Sequence, residues 1–168
     1  MDLLVIRHAI AAPREDYPED AARPLTAKGV KRFKRVVRGL DALGVELCRV
    51  LHSPWRRAVE TAQLMGPIVH GDLDGALVAT DLLIAPPRAE LFTEISGASV
   101  DGAVAVIGHE PWLGELIATL CFADARRGEQ VPLRKGGVAW LDGTAAPGGM
   151  VLRALLPPKV LRAAATDD

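Results

Sequence analysis

Two histidines and two arginines lie in separate stretches of the sequence, each close behind a short apolar run. Arg7 and His8 directly follow residues 3–6, Arg57 comes a few residues after a second run, and His109 comes shortly after a third. Such runs are typical of buried parallel strands. Because ligands of open α/β sheets bind beyond the carboxyl ends of the strands, these four side chains are predicted to meet at one edge of a sheet.

This set of side chains has the chemistry that phosphoryl transfer requires. A guanidinium group binds two non-bridging phosphate oxygens at once. A neutral imidazole can attack phosphorus as a nucleophile, and a second imidazole can donate a hydrogen bond where negative charge develops. Taken singly, each residue could be structural; Arg57, for example, could form a surface salt bridge with Glu60 or Asp41. Together with His8 and His109, the two arginines indicate a site that handles phosphoryl groups.

The elements that must position these residues alternate between strands and helices. Predicted strands cover residues 3–6, 49–52, 76–79, 103–107, 138–141 and 150–155, and predicted helices cover residues 26–43, 53–65, 88–95 and 111–122. Thr26 is expected to cap the first helix and Ser53 the second. The alternation predicts a three-layer α/β/α sandwich with a mostly parallel central sheet. We expect a single domain over residues 1–158 and a C-terminal tail over residues 159–168 that is prone to fray.

The composition is that of an ordinary globular domain and argues against several other classes of protein. Of the 168 residues, 49% are hydrophobic and 24% are charged. The formal net charge of −1 argues against a nucleic-acid-binding protein. No stretch approaches the roughly 20 apolar residues of a membrane span. The first residues lack the basic and apolar segments of a secretory signal, so a cytoplasmic location is expected.

Four motifs resemble, in the same order, those of the histidine phosphatase (phosphoglycerate-mutase-like) superfamily. Arg7-His8-Ala9 is similar to the RHG signature, and residues 23–26 with Gly29 are similar to the loop before the first helix of the family. Residues 53–62 (SPWRRAVETA) are similar to an SP-x-x-R-A-x-x-T-A segment. Residues 106–109 (VIGH) are similar to the second histidine motif. The resemblance extends over most of the chain from residue 3 to about residue 120. The small size of the chain, and the direct run from His109 into residues 110–113, most resemble the compact SixA-type phosphohistidine phosphatases.

The resemblance implies a role for each residue that matches a motif. His8 would be the nucleophile and would become phosphohistidine, while Arg7 and Arg57 would clamp the phosphoryl oxygens. His109 would stabilise the transferring group, and the hydroxyl of Ser53 would add a contact to the substrate. Because the arginines would neutralise the charge that magnesium neutralises elsewhere, neither a metal ion nor a cofactor is expected.

The sequence departs from the family pattern at two points. Ala9 replaces the glycine of the signature, which is a small change. No glutamate stands in a recognisable motif to protonate the leaving group, and only Asp81, Glu90 and Glu94 are loose candidates. The nitrogen of phosphohistidine is easily protonated and leaves more readily than an alkoxide, so a missing acid favours a phosphohistidine-bearing protein over alkyl phosphoesters as the substrate.

Two other functions stay open at this level. A small-molecule phosphomonoesterase of the same superfamily would act on a small phosphoester with the same four residues. A non-catalytic phosphate-binding module would bind the anion without hydrolysis and would dock on partners through the basic face of the first helix. That face carries Lys28, Lys31, Arg32, Lys34, Arg35 and Arg38, which could also steer an acidic partner or simply face solvent.

Two further patterns suggest competing sites, which we disfavour. Cys121 and Arg127 have the C-x5-R spacing of cysteine phosphatases, but an intervening aspartate would repel the phosphate. His70 lies in an HGDLDG segment that could suggest a metal-binding loop with its two aspartates. The spacing of that segment fits no EF-hand and indicates a surface turn.

Overall fold

A six-stranded sheet lies at the centre of the structure, a computed structural model that describes residues 1–98 and 102–165. Its strands are β1 (Asp2–Arg7), β2 (Leu47–His52), β3 (Leu77–Ala79), β4 (Ala103–Gly108), β5 (Val138–Gly143) and β6 (Met150–Leu156). They lie in the order β3-β2-β4-β1-β5-β6. The first four strands in that order pair in parallel, and β5 pairs antiparallel with both of its neighbours.

Helices cover both faces of this sheet. They are α1 (Ala27–Ala42), α2 (Arg56–Gln63), α3 (Leu73–Ala76), α4 (Ala89–Ala98), α5 (Trp112–Phe122) and α6 (Pro158–Ala164). The apolar core on one face includes residues of α1, α2 and α6, and the core on the other face includes residues of α4 and α5. The predicted three-layer α/β/α sandwich with a mostly parallel sheet is therefore confirmed. Across the described ranges, no helix combines the length and the apolar character needed to cross a membrane.

Strand β1 shows how the sequence builds these layers. Its apolar residues point alternately to the two faces, so Leu3 and Val5 join the core under α4 and α5. Leu4 and Ile6 join the core under α1, α2 and α6. All four side chains are fully buried. A continuous apolar run is required here because helices cover both faces of the strand.

The second helix begins later than the sequence pattern predicts. Ser53 does not cap it, because its backbone N–H extends the pairing with β4 and its hydroxyl accepts from the backbone N–H of Trp55. The helix α2 starts at Arg56, which leaves Arg57 in its first turn. By contrast, Thr26 caps α1 as predicted, because its hydroxyl accepts from a backbone N–H at the start of that helix.

The C-terminal segment differs from the frayed tail that the sequence pattern predicts. Residues Pro158–Ala164 form α6, and Leu161 of this helix is fully buried against α1. Proline favours the first turn of a helix, but a single buried leucine is too weak a periodic signal to reveal the packing. Residues 166–168 of the predicted tail lie outside the described residues.

The close packing of α6 on α1 leads to a testable prediction. Gly39 of α1 lies directly against the backbone carbonyl of Leu161, so the methyl group of an alanine would overlap it. We expect Gly39→Ala to lower the free energy of unfolding by about 1–3 kcal/mol, measured by urea denaturation. Gly97→Ala is the matched control, because no described atom beyond the adjacent residues and the backbone of its own helix lies within 4 Å of the added methyl group. Unchanged stability in Gly39→Ala would contradict the docking of α6.

Candidate active site

The four residues singled out from the sequence line one cavity at the carboxyl edge of the sheet. The neighbouring strands β1, β4 and β2 lead into the segments that carry them. The ring centroids of His8 and His109 are 5.2 Å apart, and Nε of Arg57 is 3.2 Å from Nε2 of His8. The cavity has a volume of about 340 Å³ and is lined by Arg7, His8, Asp20, Arg23, Trp55, Arg57, His109, Glu110, Trp112 and Lys135. Two imidazoles and three guanidinium groups, those of Arg7, Arg23 and Arg57, therefore surround one small space.

Hydrogen bonds determine the tautomer of the His8 ring. Its Nδ1 lies 2.7 Å from the backbone carbonyl oxygen of Ala9, which can only accept, so Nδ1 carries the hydrogen. The other nitrogen, Nε2, then holds the lone pair and accepts a hydrogen bond from Nε of Arg57. A guanidinium group can only donate, so the two contacts agree. The nitrogen that could attack phosphorus therefore faces the guanidinium of Arg57.

The surroundings of His8 keep this ring neutral. Burial lowers its pKa to about 3, and the positive charges of the neighbouring arginines and of Lys135 act in the same direction, against the hydrogen bond to Ala9. Only 4% of His8 is exposed. A protonated imidazole has no lone pair with which to attack, so the lowered pKa preserves the nucleophilic form at neutral pH.

Arg57 is buried, and three groups hold its guanidinium in place. Nη1 donates to the backbone carbonyl of Asp20 at 2.6 Å, and Nη2 donates to the carboxylate of the same residue at 2.8 Å. The Cζ atom lies 4.6 Å from the centre of the Trp55 ring, which is a cation–π distance. The surface salt bridge to Glu60 that the sequence allows is absent, since Glu60 pairs with Arg56 instead. Arg57 is thereby oriented with its Nε toward His8.

Asp20 lines the cavity although no sequence motif marks it. Its carboxylate pairs with Arg57 at 2.8 Å, with Arg23 at 2.7 Å and with Arg14 at 3.4 Å. Burial acts to raise the pKa of Asp20, but hydrogen bonds from Arg23 and Arg57 outweigh burial and hold that pKa below its ordinary value. The residue therefore remains a carboxylate that organises arginines and is poorly suited to donate a proton.

Arg7 is anchored through one nitrogen and lacks a partner at another. Its Nη1 donates to the backbone carbonyl of Leu133 at 2.8 Å. Its Nε is buried and has no hydrogen-bond partner among the residues that the structure describes. A buried N–H without an acceptor is unfavourable, so a phosphoryl oxygen bound beside it would stabilise this arginine. Lys135 lines the same cavity and adds a positive charge that no sequence motif marks.

His109 is held by Ser53 and lies against two tryptophans. Its Nε2 is 2.8 Å from the hydroxyl oxygen of Ser53. Its ring centre is 4.4 Å from that of Trp55 and 6.5 Å from that of Trp112. Burial lowers the pKa of His109 to about 3, and nearby positive charges add to that effect. This second imidazole is therefore also neutral and can act as a hydrogen-bond donor.

Ser53 contacts His109 and does not line the cavity. The family resemblance implies a substrate contact for its hydroxyl, but the side chain is fully buried behind the site. The hydroxyl accepts from the backbone N–H of Trp55, which favours donation of its own hydrogen to Nε2 of His109. The hydrogen of the neutral ring then lies on Nδ1, a buried atom with no partner in the described part of the chain. This geometry suits Ser53 to orienting a donor, and the substrate contact that the resemblance implies stays a prediction.

Thr61 connects the loop that follows His8 to the helix that carries Arg57. Its hydroxyl accepts from the backbone N–H of Ala9 at 3.1 Å and donates to the backbone carbonyl of Arg57 at 2.6 Å. The side chain is fully buried. In the sequence, Thr61 is the threonine of the SPWRRAVETA segment, and the motif alone predicts no role for it. Its two hydrogen bonds couple the position of His8 to that of Arg57.

None of the three acids considered as proton donors from the sequence, Asp81, Glu90 and Glu94, lines the cavity. Glu94 accepts a hydrogen bond from a threonine at 2.9 Å instead. The carboxylates that line the cavity are those of Asp20 and Glu110. Both oxygens of Glu110 accept from backbone N–H groups. The described part of the cavity thus offers no carboxylic acid that is ready to protonate a leaving group.

The competing sites considered from the sequence are not supported. Cys121 is half-buried in α5, where burial raises the pKa of its thiol, and Arg127 interacts with Asp124 at 3.8 Å. Within the HGDLDG segment, Asp72 caps the short helix α3. In residues 1–98 and 102–165, no group of three or more His, Cys, Asp or Glu residues is arranged to hold a metal ion.

Known proteins share both sequence and fold with this chain, although no family model matches it. An uncharacterized protein of Picosynechococcus sp. is 34% identical over 151 residues, which cover 87% of each chain. Phosphohistidine phosphatase SixA of Escherichia coli is 30% identical over 136 residues, which cover 72% of this chain and 74% of SixA.

Solved structures extend the likeness to nearly the whole chain. The protein histidine phosphatase SixA complexed with tungstate superposes with a TM-score of 0.77 at 26% identity, covering 96% of this chain and 99% of that one. A putative alpha-ribazole-5'-P phosphatase from Escherichia coli superposes with a TM-score of 0.71 at 20% identity, covering 94% of this chain and 98% of that one. At that identity, the second likeness concerns the fold alone.

The two buried neutral histidines predict how stability depends on pH. The pKa of each falls from 6.5 to about 3 in the folded protein. The folded state therefore binds fewer protons than the unfolded state, and stability that is present above pH 6.5 is lost as the pH falls toward 3. Between about pH 7 and about pH 5, we expect a loss of up to about 2 kcal/mol for each histidine.

Urea denaturation at both pH values checks this expectation. His109→Gln replaces one titrating ring with a neutral amide, so acidification should cost this variant about 2 kcal/mol less than wild type. His70→Gln changes an exposed histidine and should follow wild type. An identical pH dependence in wild type and His109→Gln would show that the buried ring is not held neutral.

Proposed function

Since this chain belongs to the histidine phosphatase superfamily, we propose that it removes phosphoryl groups from protein phosphohistidine through a covalent intermediate on His8. The state of His8 carries the proposal: it is a neutral ring whose Nε2 lone pair faces a guanidinium group. The residues that line the described cavity include no serine, threonine or cysteine. The other imidazole, that of His109, is engaged with Ser53 through its own Nε2.

The charge of the cavity suits a phosphoryl group without a metal ion. Two carboxylates, those of Asp20 and Glu110, are opposed by four cations, Arg7, Arg23, Arg57 and Lys135. The formal charge of the lining is therefore +2, which balances a phosphoryl dianion. Side chains would thus supply the neutralisation that magnesium supplies in many phosphoryl-transfer sites. On this basis, the proposed reaction is metal-independent.

In the first half-reaction, Nε2 of His8 attacks phosphorus in line with the bond to the leaving group. A phosphoryl oxygen replaces Nε2 as the acceptor for Nε of Arg57, while Arg7 and Nδ1 of His109 donate to the other oxygens. A bond from phosphorus to Nε2 forms as the bond to the substrate imidazole breaks. The ring of His8 becomes positively charged, and the carbonyl of Ala9 stabilises that charge through Nδ1.

The leaving group accounts for the absence of an acid from the described cavity. The imidazole of phosphohistidine can take a proton on its free nitrogen near neutral pH, so that the ring departs neutral when the bond to phosphorus breaks. An ester oxygen instead departs as an alkoxide unless a positioned acid protonates it. A phosphohistidine substrate is therefore better matched to this site than an alkyl phosphoester. The names of the SixA relatives point to the same substrate class.

In the second half-reaction, water attacks phosphorus on the phosphorylated enzyme. The bond from phosphorus to Nε2 breaks, and the electron pair returns to that nitrogen. The products are dihydrogen phosphate and the neutral His8 ring with its hydrogen still on Nδ1. Protons and charge balance in this step without a separate acid or base, so the enzyme returns to its starting state.

The proposal is tested by comparing wild type with His8→Ala. Phosphate release from a phosphohistidine peptide should fall by at least about a thousandfold, because the nucleophile has been removed. His70→Ala is the matched control: it changes an exposed histidine outside the cavity and should keep the wild-type kcat/KM. Turnover of the wild-type order in His8→Ala would refute the assignment of the nucleophile.

The same preparations distinguish the substrate class and the metal requirement. We expect kcat/KM for the phosphohistidine peptide to exceed that for glycerol phosphate, and EDTA to leave both unchanged. A preference for glycerol phosphate would favour a small-molecule phosphomonoesterase. Activity that is lost in EDTA and restored by magnesium would contradict metal independence, and vanadate binding without any turnover would indicate a non-catalytic module.

A further inference from the structure

A second and larger depression, here termed the basic groove, opens beside the catalytic cavity. It has a volume of about 600 Å³ and shares Arg7 and Lys135 with that cavity, so the two spaces are direct neighbours. Four more cations line the groove from α1, from the segment before β5 and from α6: Arg32, Arg134, Lys159 and Arg162. No acidic residue belongs to the lining that the structure describes.

The four cations that line only the basic groove are not paired with carboxylates within the described part of the chain. Arg32, Arg134, Lys159 and Arg162 form no ion pair with a carboxylate of residues 1–98 or 102–165. The chain has 20 basic and 21 acidic residues, so the groove is a local concentration of positive charge and not a general excess. Burial lowers the pKa of Lys135, and the charges of neighbouring arginines lower it further. A surface of this kind attracts an acidic partner.

Apolar groups line the basic groove together with the cations. Ile10, Phe33 and two prolines, Pro157 and Pro158, contribute to its walls. A bare polyanion such as polyphosphate has no apolar groups that could contact these side chains. A protein segment that carries both carboxylates and aliphatic side chains would match the cations and the apolar walls together. The mixed lining therefore favours a protein over a small polyanion.

We propose that the basic groove binds an acidic segment of the phosphoprotein substrate while the phosphohistidine of that substrate enters the catalytic cavity. The inference rests on the proposed phosphohistidine phosphatase function and identifies the basic groove as the feature by which the enzyme would recognise its substrate. Arg7 and Lys135 lie where the two spaces meet, so the acidic segment lies directly beside the phosphohistidine. Binding in the groove lowers KM and leaves the chemical step unchanged, because the four groove cations outside the catalytic cavity do not contact the reacting atoms.

The experiment measures kcat and KM for three substrates at low salt. They are a phosphohistidine peptide flanked by aspartate and glutamate, the same peptide with serine and glutamine at those positions, and p-nitrophenyl phosphate. Wild type should prefer the acidic peptide by on the order of tenfold in kcat/KM, and the preference should shrink as salt is added. Arg32→Glu and, as an independent variant, Lys159→Glu should each raise KM for the acidic peptide by about fivefold with kcat unchanged.

Arg38→Glu is the matched control for Arg32→Glu. Both arginines are exposed on α1 and both changes reverse one charge, but Arg38 is not part of the groove lining. We expect Arg38→Glu to change KM for the acidic peptide by less than about twofold, and all three variants to hydrolyse p-nitrophenyl phosphate like wild type. An equal loss in Arg38→Glu would overturn the proposal, because it would show a general charge effect.

The failure of the groove proposal can be told apart from the failure of the proposed function. If wild type hydrolyses both peptides at equal kcat/KM, the groove does not select acidic segments, but the phosphatase assignment stands. If wild type hydrolyses neither peptide, the proposed function itself fails. If Arg32→Glu and Lys159→Glu weaken inhibition by inorganic tripolyphosphate yet leave the acidic peptide unaffected, the groove binds a small polyanion and the proposal is overturned.

Discussion

The His8 ring, held between the carbonyl of Ala9 and the guanidinium of Arg57, is the feature on which the rest of the site depends. One contact places the hydrogen on Nδ1, and the other meets the lone pair of Nε2. Burial and the surrounding positive charges lower the pKa of the ring to about 3. The same charges that exclude a proton from His8 would attract a phosphoryl anion, so a single cluster of cations would serve both the proposed nucleophile and the substrate.

Several cations in one cavity repel one another, and Asp20 offsets this repulsion. Its carboxylate contacts three arginines and holds Arg57 in the orientation that reaches His8. Behind the cavity, the hydroxyls of Thr61 and Ser53 position Arg57 and His109 from within the core. The geometry of the site thus depends both on the residues that face the cavity and on buried polar residues behind it. Loss of the hydrogen bonds of these buried residues would leave other buried groups unpaired.

The sequence predicts the elements and the four central residues because both leave local signals. Buried parallel strands are short apolar runs, and Arg7, His8, Arg57 and His109 stand directly behind them or in the next helix. The family resemblance depends on these same local patterns. Helix boundaries were harder to predict: Ser53 looks like a cap, but its backbone continues the sheet and its hydroxyl is needed by His109.

The parts that the sequence does not predict depend on contacts between distant segments. Asp20 lies in a polar loop and acquires its role only because the fold brings Arg57 against it. Helix α6 is too short to show a clear periodicity, and its docking depends on Gly39 of α1, far away in the chain. The basic groove likewise combines α1, the segment before β5 and α6. No local window of sequence contains such information.

The central claim is that phosphate is carried on Nε2 of His8, and one measurement tests it most directly. Wild-type enzyme would be mixed with a phosphohistidine peptide, quenched in alkaline detergent, and analysed by mass spectrometry and by phosphorus NMR. We expect one phosphoryl group, on His8, bonded to Nε2, because Nδ1 is occupied by its hydrogen bond to Ala9. A phosphoryl group on Nδ1 or on His109, or no phosphorylated enzyme during active turnover, would contradict the account.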